Sequence, residues 1–216
     1  MIKGLKSLPY TRLDSKTNSL VSYGINYKKI TKYLEAKNIE YDDQVLDMLP
    51  LGQLPKIKLK LRDYQKEAIE SWSQEKMGSI VLPTGAGKTM IGVKIIEKIN
   101  SPTLIVVPTL DLIKQWTEIL SKNFNIEIGN IGGGTENIQA ITVSTYDSAY
   151  IKAQSIGNKF LLIVFDEVHH LPAPSYRIIA ETFVAPYRLG LTATIEPEDR
   201  LDADFPYLIG KTTFQI

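Results

Sequence analysis

No cysteine occurs among the 216 residues, which excludes three classes at once: a disulfide-stapled secreted scaffold, a cysteine-ligated zinc site and a thiol enzyme. Long apolar runs are missing too. No stretch approaches the roughly 18 uninterrupted apolar residues that a membrane span requires, and the opening Met1-Ile2-Lys3-Gly4-Leu5-Lys6 lacks the apolar core of a secretory signal. The expectation is a soluble intracellular protein. Net charge is scarce at +1, yet that balance conceals an asymmetry. Residues 1–60 carry 11 Lys and Arg against 6 Asp and Glu, or +5, and residues 61–216 carry 14 against 18, or −4. A basic segment fits a nucleic-acid footprint and equally a solvated face, so charge alone leaves both open. What the chain has in quantity is apolar side chains: 44% hydrophobic residues suffice for a real core, in one large domain or in one ordinary domain with a smaller companion.

Leu8–Leu13 and Ser19–Tyr23 flank the turn formers Asp14-Ser15-Lys16-Thr17-Asn18, which predicts a hairpin. From Tyr27 the apolar positions Ile30, Tyr33 and Leu34 recur at helical spacing up to about Asn38, leaving Lys28, Lys29, Lys32 and Lys37 outward. Residues 42–58 show no period and read as a connection. Beyond Leu61, apolar runs alternate with amphipathic stretches: Ser79–Leu82, Thr103–Val107, Ala140–Val143, Leu161–Phe165 and Tyr187–Leu191. Runs of this length suit strands buried on both faces, with helices as the crossovers of a parallel sheet. The fold class is therefore α/β, preceded by a small basic ββα unit. Gly132-Gly133-Gly134 reads as a flexible turn or a phosphate-binding backbone nest.

Ligands of such a sheet sit outside the carboxyl ends of the strands. The first run ends in Pro83-Thr84-Gly85-Ala86-Gly87-Lys88-Thr89, followed by a helical pattern from Met90 to Ile99. Glycines let backbone N–H groups face a polyphosphate at a helix N-terminus, Lys88 neutralises its β and γ charges, and the Thr89 hydroxyl suits magnesium. Leu82 stands where the strict P-loop pattern has its first glycine. The fourth run ends in Asp166-Glu167-Val168-His169-His170. There Asp166 can hold magnesium through water and Glu167 can orient or deprotonate an attacking water; alternatively the pair caps a helix. Adjacent histidines lack metal-ligand spacing, and a hydrogen-bond relay from His169 fits better. Thr192 and Thr194, at the fifth tip, could couple the acidic motif to nucleotide turnover or simply shape a turn. Pro108-Thr109 and Ser144-Thr145, at the second and third tips, suit nucleic-acid phosphates or helix capping.

In order and spacing, Thr84–Thr89, Pro108-Thr109, Ser144-Thr145-Tyr146, Asp166–His169 and Thr192-Ala193-Thr194 resemble motifs I, Ia, Ic, II and III of superfamily 2 helicases. Leu61-Arg62-Asp63-Tyr64-Gln65, Phe165–Pro172 and Arg188–Thr194 narrow the resemblance to the XPB (xeroderma pigmentosum group B) DNA-repair helicases, in their short archaeal forms, over residues 10–216. The resemblance implies a small damage-recognition-like domain at 1–55 and a RecA-like first motor domain at 56–216. It implies ATP and magnesium as cofactors, adenine recognition by Arg62 and Gln65, and 3'-5' DNA helicase or translocase activity in nucleotide excision repair and promoter opening. Its partners would be DNA, a second motor domain, and a nuclease in archaea or a transcription factor IIH-like assembly in eukaryotes, with a cytoplasmic, nucleoid-associated or a nuclear location respectively. Without the resemblance, Arg62 and Gln65 fit equally well on the solvent face of a helix whose core side is Tyr64, Ala68, Ile69 and Trp72.

Two departures stand out. The family's strand-separating Arg-Glu-Asp falls on Pro197-Glu198-Asp199, with Pro197 in place of the arginine and Arg200 nearby. Motifs IV to VI, with the arginine fingers of the second motor domain, have no counterpart before Ile216, so the chain reads as a front half with little turnover of its own. The competing expectations are a non-hydrolysing nucleotide-binding interaction module, another superfamily 2 translocase, and a small-molecule P-loop kinase.

Overall fold

The computed structural model describes residues 8–194 and 205–216. At the front, β1 (Arg12–Asp14) and β2 (Ser19–Val21) pair antiparallel, and helix α1 spans Tyr27–Ala36 with Leu34 as its buried residue. The turn closes through Asp14, whose carboxylate accepts from the Lys16 amide and the Thr17 hydroxyl. This ββα unit meets the rest of the chain through two lysine ammonium groups and one amide: that of Lys28 lies over the Tyr187 ring, that of Lys29 over Tyr207, and the Tyr207 hydroxyl donates to Asn26. Residues 39–62 contain no helix or strand, yet Leu54 is buried in the main core and Asn158 and Lys159 hold Val45 and Asp47.

The helices and strands that follow are α2 (Asp63–Glu75), β3 (Met77–Val81), α3 (Lys88–Ile99), β4 (Thr103–Val107), α4 (Leu110–Phe124), β5 (Gly129–Gly132), β6 (Thr135–Asn137), β7 (Ile141–Thr145), α5 (Tyr146–Ile156), β8 (Leu162–Asp166), α6 (Pro174–Thr182), β9 (Tyr187–Thr192), α7 (Phe205–Leu208) and β10 (Thr212–Gln215). All five expected strands are present. With three more they form an eight-stranded sheet in the order β10-β3-β9-β8-β4-β7-β5-β6, parallel throughout except where β6 returns antiparallel on β5. Period-two alternation sorts the side chains: Ile105, Val107, Leu162 and Val164 face the layer of α2, α3 and α4, while Leu104, Val106, Ile163 and Phe165 face α5, α6 and α7.

Three strands were not expected. β6 and β10 are the sheet edges and β5 is the strand next to β6; they carry sequences such as Gly129-Asn130-Ile131-Gly132 and Thr212-Thr213-Phe214-Gln215, which need no apolar run because only part of each is covered. The triglycine does form a turn, joining β5 to β6 with Gly133 and Gly134 at φ 59° and 84°. Among the described residues no helix is long and apolar enough to cross a membrane.

Candidate active site

The strand order sets three tips side by side, because β9 lies between β3 and β8. The P-loop leaves β3, the acidic motif leaves β8, and Thr192 closes β9 between them, in register with Val81. Gly85 and Gly87 take φ of 80° and 81°, a region closed to most side chains, and Gly87 caps α3. In the first turn of α3 the Met90 amide donates to the Gly87 carbonyl, while the Lys88 and Thr89 N–H groups stand at the positive dipole end of the helix. Lys88 is buried; its ammonium donates to the Leu82 carbonyl at 3.2 Å and lies 3.9 Å from Glu167 Oε1.

Asp166 is held from both layers of the fold. On one side the Trp116 indole N–H donates to Oδ2 at 2.8 Å; on the other the buried Tyr146 hydroxyl donates to the Asp166 carbonyl at 3.1 Å, and the Glu167 amide donates to Oδ1 at 3.1 Å. Burial and the neighbouring Glu167 charge push the Asp166 carboxyl above the usual carboxylate range, against the pull of the Trp116 and Glu167 N–H groups and Lys88. Burial, with Asp166 and Glu167 beside it, pushes the Tyr146 phenol far up, so it stays a neutral donor. Glu167 sits at φ 49°, an uncommon conformation for a residue with a side chain. That twist turns its carboxylate toward both Lys88 and His169, whose Nδ1 is 3.5 Å from Glu167 Oε2 and 3.1 Å from Thr192 Oγ1. Because the Thr192 hydroxyl donates to the Thr194 carbonyl at 2.7 Å, it accepts from His169, which makes Nδ1 the protonated nitrogen. Glu167, His169, Thr192 and Thr194 thus form one connected chain across two strand tips.

Gln65 is buried rather than solvent-facing, which removes the surface-helix alternative for it. Its amide oxygen accepts from the Arg62 N–H at 2.9 Å and its NH2 donates to the Ala86 carbonyl at 2.8 Å, so it bolts the start of α2 to the P-loop. Arg62 is exposed and donates to the Tyr64 hydroxyl, which itself donates to Ala86. A cavity of about 300 Å³ lies between Leu59–Arg62, Gln65, Gly85–Gly87 and Met90. Thr84, which precedes Gly85 in the loop, is exposed.

Thr109 and Thr145 cap α4 and α5, accepting from the Leu112 and Ser148 amides. Ser144 departs from the expected phosphate contact: it is fully buried and its hydroxyl donates to the Thr145 carbonyl, so it reaches no external ligand in this structure. The triglycine turn joins this group, since a Cβ at Gly132 would meet Leu110 and Thr145 at 3.2 and 3.3 Å. The basic ββα unit does not; its Lys28 lies over Tyr187, which opens β9 at the opposite end of the strands. Glu198 and Asp199, with Pro197 and Arg200, fall outside the described residues. Trp116 and Tyr146 carried no expected role. A Trp on the apolar stripe Ile113-Trp116-Leu120-Phe124 was the one available signal, because a buried indole N–H needs an acceptor.

Residues 58–197 match the family model described as the type III restriction enzyme, res subunit. The chain belongs to this ResIII family. It is 47% identical over 207 residues to the DNA 3'-5' translocase XPB2 of Sulfurisphaera tokodaii, covering 96% of this chain and 47% of that one. It is 37% identical over 161 residues to the DNA 3'-5' helicase XPB of Kineococcus radiotolerans, covering 69% and 29%. The XPB resemblance read from the motifs therefore holds over nearly the whole chain, which spans about half or less of the length of these relatives. Among solved structures, the UvsW helicase of bacteriophage T4 superposes with a TM-score of 0.62 at 19% identity over 94% of this chain and 81% of that one. The Hef helicase domain of Pyrococcus furiosus gives 0.58 at 25% identity, over 71% and 37%. The fold of the ResIII chain is that of the RecA-like helicase motors.

Proposed function

We propose that residues 56–216 are the first motor domain, and residues 1–55 a small DNA-engaging domain, of an ATP-dependent 3'-5' DNA translocase of the XPB kind. The carrying observation is the meeting of Lys88 and Glu167 at 3.9 Å, beside an Asp166 whose two oxygens are each fixed by one N–H donor. A polyphosphate on the first turn of α3 would take over Lys88 from Glu167 and leave that carboxylate to orient water. The cavity at Gln65 and Arg62 suits an adenine, with one amide proton of Gln65 still available beside the bond to Ala86.

The residues fit magnesium only as nucleotide-bound cation. Among the described residues no three acidic or histidine side chains cluster to hold a metal alone, whereas one carboxylate plus phosphates is the usual arrangement for this ion. Thr89 and Asp166 would hold it, and it would supply charge neutralisation between the β and γ phosphates. Glu167 accepts the proton of the attacking water, and the path through His169 to Thr192 and Thr194 ties that event to the segment leaving β9. An arginine from the second motor domain, worth roughly 1,000-fold or more in such reactions, completes the site, so the 216 residues alone turn over slowly or not at all.

DNA lies across Pro108, Thr109, Thr145 and the triglycine turn on this reading, with excision repair and promoter opening as the processes served. A nuclease of the archaeal kind or a transcription factor IIH-like assembly is the partner class. The test is ATPase activity of the longer protein that carries the second motor domain, with and without single-stranded DNA, beside its Glu167→Gln variant and the 216-residue chain. DNA stimulation that Glu167→Gln abolishes while ATP stays bound supports the proposal. Unchanged activity in Glu167→Gln would instead make the chain a nucleotide-binding interaction module.

A further inference from the structure

We infer that Trp116 is a positioning residue for the magnesium-holding carboxylate of Asp166, with helix α4 as its mount; this rests on the nucleotide reading above. The chain has two tryptophans, both fully buried, and they satisfy their indole N–H groups differently. Trp72 donates to a main-chain acceptor, the Arg188 carbonyl, at 3.0 Å. Trp116 donates at 2.8 Å to a side-chain carboxylate oxygen at the tip of β8. With the Glu167 amide on the other oxygen, two donors from different elements fix the carboxylate plane, and each oxygen keeps a lone pair for a metal-bound water.

The ring is also wedged where the nucleotide machinery converges. Gly92 lies one helical turn beyond Lys88 in α3, and a Cβ there would come within 2.6 Å of Trp116 Cη2, with Leu191 Cδ1 at 3.3 Å. A helix interior disfavours glycine, and here the missing side chain is the space the indole occupies. Trp116 therefore packs against the P-loop helix at Gly92, in the same core cluster as Leu191 of the strand that carries Thr192, while its one polar atom holds Asp166. Space-filling alone would be met by Phe or Leu without any polar contact.

The test uses the 15N-labelled chain, in which the two indole N–H resonances are assigned with Trp116→Phe. Adding ADP with magnesium is expected to shift the Trp116 resonance, and ADP with EDTA to leave it in place. In Trp116→Phe, ADP affinity in EDTA stays within about twofold while the gain from magnesium falls about 10- to 100-fold, as for loss of a residue that orients a metal ligand. A purely structural role would weaken both conditions alike. An indole resonance insensitive to magnesium, or a magnesium gain unchanged in Trp116→Phe, would overturn the inference while leaving the nucleotide site standing. Should Trp116→Phe fail to fold, the two wild-type indole resonances are assigned by triple-resonance spectra or with Trp72→Phe, and the wild-type Trp116 resonance decides. If the wild-type chain binds no ADP under either condition, the nucleotide reading falls and this inference with it.

Discussion

Arg188 is the most consequential residue outside the nucleotide site, and replacing it by Met is expected to destabilise the chain severely. Its guanidinium is buried and donates to four carbonyls: Ala180 at 2.7 Å, Phe183 at 2.8 Å, Leu208 at 2.9 Å and Ala185 at 3.1 Å. Three of these belong to helix ends, the last turn of α6 and the end of α7, where carbonyls lack intrahelical donors and the dipole favours a cation. Burial lowers the Arg188 pKa to about 10, so the group remains charged near neutrality. Arg188→Met keeps most of the stem volume and strands the four acceptors. Part of that loss is offset by no longer burying a charge, so the net cost is about 3–5 kcal/mol, as when one member of a buried charged network is removed. With a urea slope of about 3 kcal/mol/M, the unfolding midpoint falls by roughly 1–1.7 M. Arg188→Lys, whose ammonium cannot span four carbonyls, recovers only part of this. The loss stays flat between pH 6 and 8, because both folded and unfolded Arg188 keep their proton there. A loss under about 1 kcal/mol for Arg188→Met would refute the reasoning.

Gly92→Ala should lower the thermal midpoint: helix propensity alone predicts a gain of about 1 kcal/mol, but overpacking against the buried indole costs about 1–3 kcal/mol, and a raised midpoint would sink the packing argument. Gln65→Ala removes two hydrogen bonds between α2 and the P-loop; stability falls by about 1–2 kcal/mol, and competition binding loses its preference for ATP over CTP. An unchanged preference would take Gln65 out of adenine recognition.

The central strands were legible because each is buried on both faces and so reads as an unbroken apolar run. β6 and β10 at the edges, and β5 beside β6, were not, since a half-covered strand can be polar and leaves no pattern to find. At the site, Lys88, Asp166 and Glu167 were visible from their place after strands, and His169 and Thr192 do meet. Trp116 was invisible because its contact with Asp166 spans 50 residues and depends on sheet order, which places β4 and the helix that follows it beside β8. The burial of Ser144 was not legible for the opposite reason: a hydroxyl at a strand end looks available in sequence, whereas β7 is covered on both faces.

The central claim is that the loop between β3 and α3 holds a magnesium nucleotide through Lys88. Isothermal titration of the 216-residue chain with ATP and magnesium, beside Lys88→Ala, tests it most directly. Saturable one-to-one binding to the wild type, weakened at least about tenfold in Lys88→Ala by loss of a charge-assisted contact to phosphate, is the predicted result. Equal affinity in the two proteins, or no binding to the wild type, would contradict it.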